Sequence, residues 1–415
     1  MSSKLMFSLD IGSSKIVSLV GTIGTPEIEI LGVSSYYFVN NNKSNNLLCV
    51  RNGVVCDLEQ VSGLVHQTLN EARINADCSI GGVIVNISGS KVKSLYSINS
   101  LELGNQAITD DIIKHLIDQG KQKSIPEDSD LLDYEVQEYV LDHEHYTINP
   151  IHLTAGTIEA HQNLFLASKN QTTNLTKVVK YSGFELARLV PSGILSGMSV
   201  LNQEEKELGC CLLDIGAGTT DMVIYENGFI RYLCSIPIAG EDITRDIAAV
   251  FKISRNLAED IKLNHGSCMH RSSGRENDKI SLTDHRGSNL LISHNLLVDV
   301  INERLKDIFE MVQALLKKQQ IYDIINSGIV ITGGSALLNS LSGVAHDYFQ
   351  MPVRIGIPNY SGQLEQLIQT PKYATSLGTF YFANQYMLNE MQSGSFIAHN
   401  FGFGQMFRKI KRLLS

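Results

Sequence analysis

CLLDIGAGTTDMVIYENG, residues 211–228, carries an apolar run into an acid, a glycine-rich turn and a second acid, then returns at once to apolar residues. A chain that turns on small residues and goes straight back into an apolar run predicts a hairpin. Gly216 and Gly218 leave backbone N–H groups uncovered at its tip, and Thr219 and Thr220 add hydroxyl donors. Asp214 and Asp221 stand on either side of that tip.

The same plan occurs near the start of the chain. FSLDIGSSKIVSLVG, residues 7–21, runs into Asp10-Ile11-Gly12, then Ser13, Ser14 and Lys15, and departs as a second apolar strand. About half a chain separates Asp10 from Asp214, which predicts two related lobes. The second loop reads as the longer, Asp214 to Asp221 against Asp10 to Lys15. One such turn alone is an ordinary hairpin; two matched copies suggest facing loops that clamp a phosphate chain. Carboxylates repel phosphate, so Asp10 and Asp214 are expected to hold Mg²⁺ through its water shell. Lys15 supplies a compact positive charge. No G-x-x-x-x-G-K-[ST] P-loop is present, and neither glycine turn opens a helix as a Rossmann fingerprint would.

A third stretch, SGIVITGGSALLNSLSGVAHDYF at 327–349, predicts a buried strand, a turn at Gly333-Gly334 and a helix starting near Ser335. Leu337, Leu338, Leu341, Val344, Ala345 and Tyr348 would form that helix's apolar stripe. The glycines would let a flat ring approach the backbone.

Composition bounds these readings. The chain has 415 residues, enough for two or more domains, with 43% hydrophobic and 19% charged residues. Its net charge of −9 argues against a general nucleic-acid binder. The seven cysteines include no C-x-x-C pair and suggest reduced thiols in a cytosolic chain rather than a disulfide framework or zinc site. No apolar run reaches the ~18 residues a membrane span needs, and no signal peptide is expected ahead of Asp10.

The three stretches resemble the phosphate-1, phosphate-2 and adenosine motifs of the actin-like ATPase superfamily. Within it, the chain resembles the FtsA family of bacterial cell-division proteins over nearly its whole length. RNGVVCDLEQV (51–61), GGVIVNISGSKV (81–92), NLAEDIKLNHG (256–266), VINERLKDIFEMV (300–312) and YATSLGTFYF (373–382) follow in the order of that family. The resemblance implies an α/β, actin-like (ribonuclease H-like) duplicated two-lobe fold with an FtsA-type inserted subdomain. It assigns ATP and Mg²⁺, with at most slow hydrolysis, to Asp10, Gly12, Ser13, Ser14, Lys15, Asp214, Gly216, Gly218, Thr219, Thr220, Asp221, Gly333, Gly334 and Ser335. Glu259 and Lys262, at i and i+3 of a helix, would line the ribose and purine. Water-positioning groups would come from LDYEVQEYVLDHEHY (132–146), which lacks the family's proline before Gln137-Glu138-Tyr139. His143 and His145 there read as solvated. The polar stretch HGSCMHRSSGRENDKI holds His265, Cys268 and His270 at a spacing too irregular for a metal site. The implied role is a septal protein on the cytoplasmic face of the inner membrane. It would form filaments with itself, anchor FtsZ and recruit later division proteins, with Arg304 meeting the FtsZ C-terminal tail. A PilM-like pilus assembly ATPase and a small-molecule kinase of the same superfamily are the competing readings.

Lobe 1 is expected over 1–82 and 165–203, the inserted subdomain over 83–164 and lobe 2 over 204–384. The insert should hold a strand at 83–87 and a helix capped by Thr109 and stopped by Gly120, with Ile112, Ile113, Leu116 and Ile117 inward. A long helix near 296–320 should bury Ile301, Leu305, Ile308, Phe309, Val312 and Leu316. Residues 385–402 read as a linker by composition.

The last segment, 403–415, is amphipathic. Phe403, Met406, Phe407, Ile410, Leu413 and Leu414 recur at helical spacing, with Arg408, Lys409, Lys411 and Arg412 opposite. That pattern suits a helix lying in an anionic membrane interface. Full burial of such apolar side chains is worth roughly 1.5–3 kcal/mol each. A basic residue near anionic lipid adds about 1 kcal/mol, so the apolar face should lead. Phe407→Glu is expected to release the protein from anionic liposomes in a sedimentation assay, and Lys409→Ala only to weaken binding. Equal losses would contradict this ranking.

Overall fold

β1 (Lys4–Ile11), β2 (Lys15–Ile23) and β3 (Ile30–Tyr37) form an antiparallel meander. The computed structural model describes residues 4–25, 27–38, 49–78, 82–271, 279–283 and 289–392. A short hairpin, β4 (Val50–Arg51) and β5 (Val54–Val55), leads into α1 (Leu58–Asn75). Asp57 caps α1 by accepting from the Gln60 N–H at 2.9 Å, and Val61, Val65, Leu69 and Ala72 form its buried stripe. β6 (Val83–Ile87) then lies parallel to β1. This strand was expected to open the inserted unit, and it belongs instead to the first sheet. All five of its residues are buried, as a strand covered on both faces requires.

The inserted unit comprises β7 (Lys93–Ala107), α2 (Asp110–Ser124), β8 (Ser129–Leu141), β9 (His145–Thr147) and β10 (Thr154–Ser168). Thr109 caps α2, and Ile113, Leu116 and Ile117 pack with Tyr139, Ile158 and Leu164 in a separate small core, with Ile112 half-buried at its edge. Gly120 does not stop α2, which continues to Ser124. It is needed for closeness instead, because a Cβ there would strike the Gln162 amide.

α3 (Lys169–Tyr181) and β11 (Leu186–Pro191) complete the first sheet, ordered β11-β6-β1-β2-β3. After α4 (Ser192–Val200) and α5 (Gln203–Leu208), the second lobe repeats the scheme with β12 (Cys210–Ile215), β13 (Thr220–Glu226) and β14 (Phe229–Ile236). There follow α6 (Gly240–Phe251), α7 (Arg255–His265), a hairpin of β15 (Lys279–Thr283) and β16 (Asn289–Ser293), and α8 (His294–Lys318). All six residues expected on the inner face of α8 are buried. β17 (Ile329–Thr332) and β18 (Val353–Ile355) give the order β18-β17-β12-β13-β14, the first sheet's order over again. β7 of the inserted unit extends this sheet through one pairing, Lys93 with Cys234.

Two boundaries differ from expectation. Gly334–Leu337 is a 3-10 turn, and α9 (Leu341–Phe349) starts six residues beyond Ser335, leaving Leu337 exposed. After α10 (Glu365–Ile368), α11 (Ala374–Gln392) carries helical backbone through 385–392, the first part of the expected linker. The amphipathic segment 403–415 lies outside the described residues.

α4 and α11 pack together between the two sheets, α11 on β1 and β2 and α4 on β12 and β13. β12 is wholly buried, and its alternation divides two cores: Cys210 and Leu212 join the one shared with lobe 1, while Cys211, Leu213 and Ile215 join that of lobe 2. At the helix crossing a Cβ on Gly378 would fall on the Leu195 carbonyl. Gly378→Ala is therefore expected to cost at least about 2 kcal/mol by overpacking, seen as a lowered thermal or denaturant midpoint. Gly343→Ala in α9, with open space around it, should be neutral or stabilising. Equal midpoints for the two variants would show that the crossing is not tight.

Candidate functional site

The two hairpin tips close in the same way. Gly12 N–H donates to the Lys15 carbonyl at 2.9 Å, and Gly216 N–H to the Thr219 carbonyl at 2.9 Å. Asp10 pairs with Val17 and Asp214 with Asp221, so the loops are equal in length and the expected difference is absent. Lys15 corresponds to Thr219, and Val17 to Asp221. Both tips border one cavity of about 440 Å³ between the lobes. They nearly touch, since a Cβ on Gly218 would collide with Ser13, whose Oγ accepts from the Gly53 N–H at 3.3 Å.

Of the residues expected here, Asp10, Gly12, Ser13, Ser14, Lys15, Asp214, Gly216, Gly218, Thr219, Asp221, Glu259, Lys262, Gly333, Gly334 and Ser335 all line this cavity. Thr220 does not. It is fully buried on the other face of β13, where its hydroxyl donates to the Ile238 carbonyl at 2.7 Å, as the period of two requires.

Three carboxylates share the floor. Asp10 accepts from Asn86 Nδ2 at 2.8 Å and from Ser376 Oγ at 3.4 Å. Asp214 accepts from Ser196 Oγ and from Thr375 Oγ1, the latter at 3.0 Å. Asp221 accepts from Ser88 Oγ at 2.8 and 2.9 Å. Burial pushes Asp10 up to about 6 against the pull of Lys15, with Asp214 adding repulsion. Burial, reinforced by Asp214, pushes Asp221 up to about 7, and burial also raises Asp214. Lys15 is lowered by burial despite Asp10 and donates to the Lys372 carbonyl at 2.6 Å. Lys15 offsets only part of the cost of burying Asp10 and Asp214, which fits these acids to a divalent cation. Among the described residues no three His, Cys, Asp or Glu side chains stand close enough to ligate a metal directly. Asp10 and Asp214 therefore suit contacts through a hydrated ion rather than a protein cage.

The far wall comes from α6, α7 and the turn after β17. Lys262 Nζ meets Glu259 at 2.8 Å, the Gly240 carbonyl at 2.9 Å and Thr244 Oγ1 at 2.8 Å. Gly333 has φ +88°, and a Cβ there would run into Asp214, so this wall presents bare backbone. Ser335 Oγ ties it to the Gly216 carbonyl at 3.0 Å.

Several contributors were missed in the sequence. Asn86, Ser88, Ser196, Thr375 and Ser376 supply hydroxyl or amide donors to the acids. Their one local signal was the strand ending VIVNISGS at 83–90, which repeats the polar, small-residue tip of the two hairpins. By contrast, none of 132–146 lines the cavity. Gln137 donates to the Ile230 carbonyl at 2.9 Å, and His143 pairs with Glu159 at 2.8 Å, so the water-positioning role expected of this stretch is not supported. Arg304 is held by both carboxylate oxygens of Asp246, at 2.6 and 3.1 Å, and by Asp307 at 3.0 Å.

A duplicated sheet with acid-tipped hairpins facing one interlobe cleft defines an actin-like ATPase fold, and solved structures agree. The chain is similar to the PilM-PilN type IV pilus biogenesis complex at TM-score 0.63, 13% identity and coverage of 91% of this chain and 98% of that one. It is also similar to MreB5 of Spiroplasma citri bound to ADP, at TM-score 0.56, 17% identity and coverage of 94% and 99%. These likenesses show the fold alone. The Cell division protein FtsA family matches residues 211–378, and the SHS2 domain inserted in FTSA matches 89–165. Cell division protein FtsA of Pseudomonas aeruginosa is 30% identical over 416 residues, covering 99% of this chain and 97% of the relative. The chain belongs to the FtsA family.

The buried acids have a measurable cost. Ionised Asp221 destabilises the fold because its folded value, about 7, lies above the ordinary 3.8. The penalty is absent below about pH 4, grows as pH rises, and is complete above about pH 7. It is on the order of 4 kcal/mol. Asp221→Asn is expected to raise the melting temperature of the ligand-free protein at pH 8 and to raise it much less at pH 4.5. An equal shift at both pH values would contradict the assignment.

Proposed function

We propose that the cleft binds Mg²⁺·ATP and that nucleotide-dependent closure makes the chain competent to polymerise at the cytoplasmic membrane. The carrying observation is the matched pair of hairpin tips on one cavity, with three raised carboxylates and Lys15 between them. Asp10 and Asp214 orient a hydrated Mg²⁺, which supplies charge neutralisation to the phosphates. Lys15 and the N–H groups and hydroxyls of the two tips hold phosphate oxygens. Glu259 and Lys262 face the ribose and purine against the bare backbone at Gly333 and Gly334. Asp221, near neutrality and steadied by Ser88, suits a group that orients water and accepts its proton.

Binding across the cleft draws the lobes together and selects a closed state by differential affinity. Filaments of closed subunits would anchor FtsZ and recruit later division proteins at the septum, with residues 403–415 as the lipid contact. An acidic FtsZ tail reaching Arg304 must compete with Asp246 and Asp307, which makes that docking sensitive to salt.

Calorimetry of the full chain with Mg²⁺·ATP tests the reading. Wild-type protein should take up nucleotide in a magnesium-dependent manner, and Lys15→Ala should lose roughly tenfold or more in affinity. No magnesium-dependent uptake by the wild type overturns the proposal.

A further inference from the structure

Residues 132–146 stay clear of the cavity, yet three of their polar side chains are not idle. Asp133, Glu135 and Gln137 stand at alternate positions of β8, where side chains take opposite faces in turn. Asp133 reaches lobe 1: its carboxylate lies 2.7 Å from Arg188 Nη2 of β11, and both side chains are buried. Glu135 and Gln137 reach lobe 2 and close on a single residue of β14. Glu135 accepts from the Ile230 N–H at 2.7 Å, and Gln137 Nε2 donates to the Ile230 carbonyl at 2.9 Å. Asn163, opposite Glu135 on β10, donates to the same carbonyl and to that of Arg231 at 3.1 Å. One face of the inserted unit thus holds both lobes.

The inserted unit therefore grips β14 near its start, and the cleft grips its far end. Ser235, paired with Asp221, has its Oγ 3.0 Å from Ser88 Oγ and accepts from the Gly89 N–H at 3.0 Å. Its own N–H donates to the Val92 carbonyl at 3.1 Å. Between these ends Leu233 N–H donates to Ser94 Oγ at 2.8 Å, beside the pairing of Lys93 with Cys234. Five residues at about 3.3 Å each set the two grips roughly 17 Å apart on one strand.

The holds on the two lobes are unequal. Both ends of the inserted unit run into lobe 1, through β6 and α3, and the buried Asp133–Arg188 pair is costly to leave half-made. The hold on Ile230 consists of side-chain bonds to backbone, each worth little net once water can replace it. Burial pushes Glu135 up to about 8, so near neutrality it adds little charge to that hold. When lobe 2 moves away from lobe 1, the inserted unit stays with lobe 1 and the bonds at Ile230 give way first.

We propose that the inserted unit is a strap across the two lobes, fixed to lobe 1 at Asp133–Arg188 and clipped to lobe 2 at Ile230, and that the cleft opens only when the clip releases. The inference goes beyond the nucleotide reading and does not depend on it. It makes the position of the inserted unit a control on the cleft.

Hydrogen exchange of the ligand-free full chain at pH 7, read by mass spectrometry, tests this on Gln137→Ala, Glu135→Ala and Glu135→Gln. Both alanine variants should speed exchange roughly fivefold, the worth of one net hydrogen bond. The gain should appear around Ile230 and also in 86–92, where the Gly89 N–H meets the cleft end of β14. α2, inside the inserted unit, should exchange as in wild type. Glu135→Gln keeps an oxygen for the Ile230 N–H and should stay near wild type. A gain confined to the surroundings of Ile230, an equal gain in α2, or no gain at all overturns the proposal. Nucleotide enters no arm, so a failure of the binding reading would leave this result as it stands.

Discussion

The close crossing of α4 and α11 is the constraint on which the rest of the structure depends. Helix backbones can approach this nearly only where side chains are minimal, and the crossing has Gly378 on the Leu195 carbonyl. The face that α4 turns to the second sheet is equally bare: a Cβ on Gly193 would press on Val223, and one on Gly197 on the Tyr225 ring. Small residues near the crossing are also the ones that serve the site. Ser192 accepts from Asn86, Ser196 donates to Asp214, and Thr375 and Ser376 donate to Asp214 and Asp10. Serine and threonine let the helices come close and satisfy the acids that the closeness buries.

Those acids explain why the cleft is a poor resting place for an empty protein. Their hydrogen bonds do not offset desolvation, so Asp10 and Asp221 stay far above ordinary carboxylates. A ligand that brought a divalent cation would reverse the balance, and by linkage its binding energy would reappear as stability of the bound form. Strain stored in an empty site is a usual companion of function.

Much of this was legible in the sequence because it is local. A strand, a small-residue tip and a second strand lie within about twenty residues, so the hairpins at Asp10 and Asp214 and their repetition could be read directly. The α8 stripe and the Thr109 cap follow from helical spacing alone. Nonlocal features were not legible. Equal loop lengths emerge only from register, where Asp221 stands opposite Asp214 and Val17 opposite Asp10. The strand at Val83–Ile87 reads the same whether it pairs inside the insert or with β1. Gly120 signals a stop until Gln162 is seen against it. Thr220 looks like its neighbour Thr219 until strand alternation turns it away. The donors Ser196 and Thr375 lie 18 and 161 residues from Asp214 along the chain and share no motif with it.

One consequence follows from where α11 begins and ends. Its opening residues, Thr375 and Ser376, grip the two acids at the cleft floor, and nineteen residues of unbroken helix run from there to Gln392. At about 1.5 Å per residue this is a rod of roughly 28 Å. A rod does not absorb a displacement at one end; it passes it on. On the proposed reading of 403–415 as the lipid contact, a displacement at the cleft floor would be carried along this rod toward the membrane.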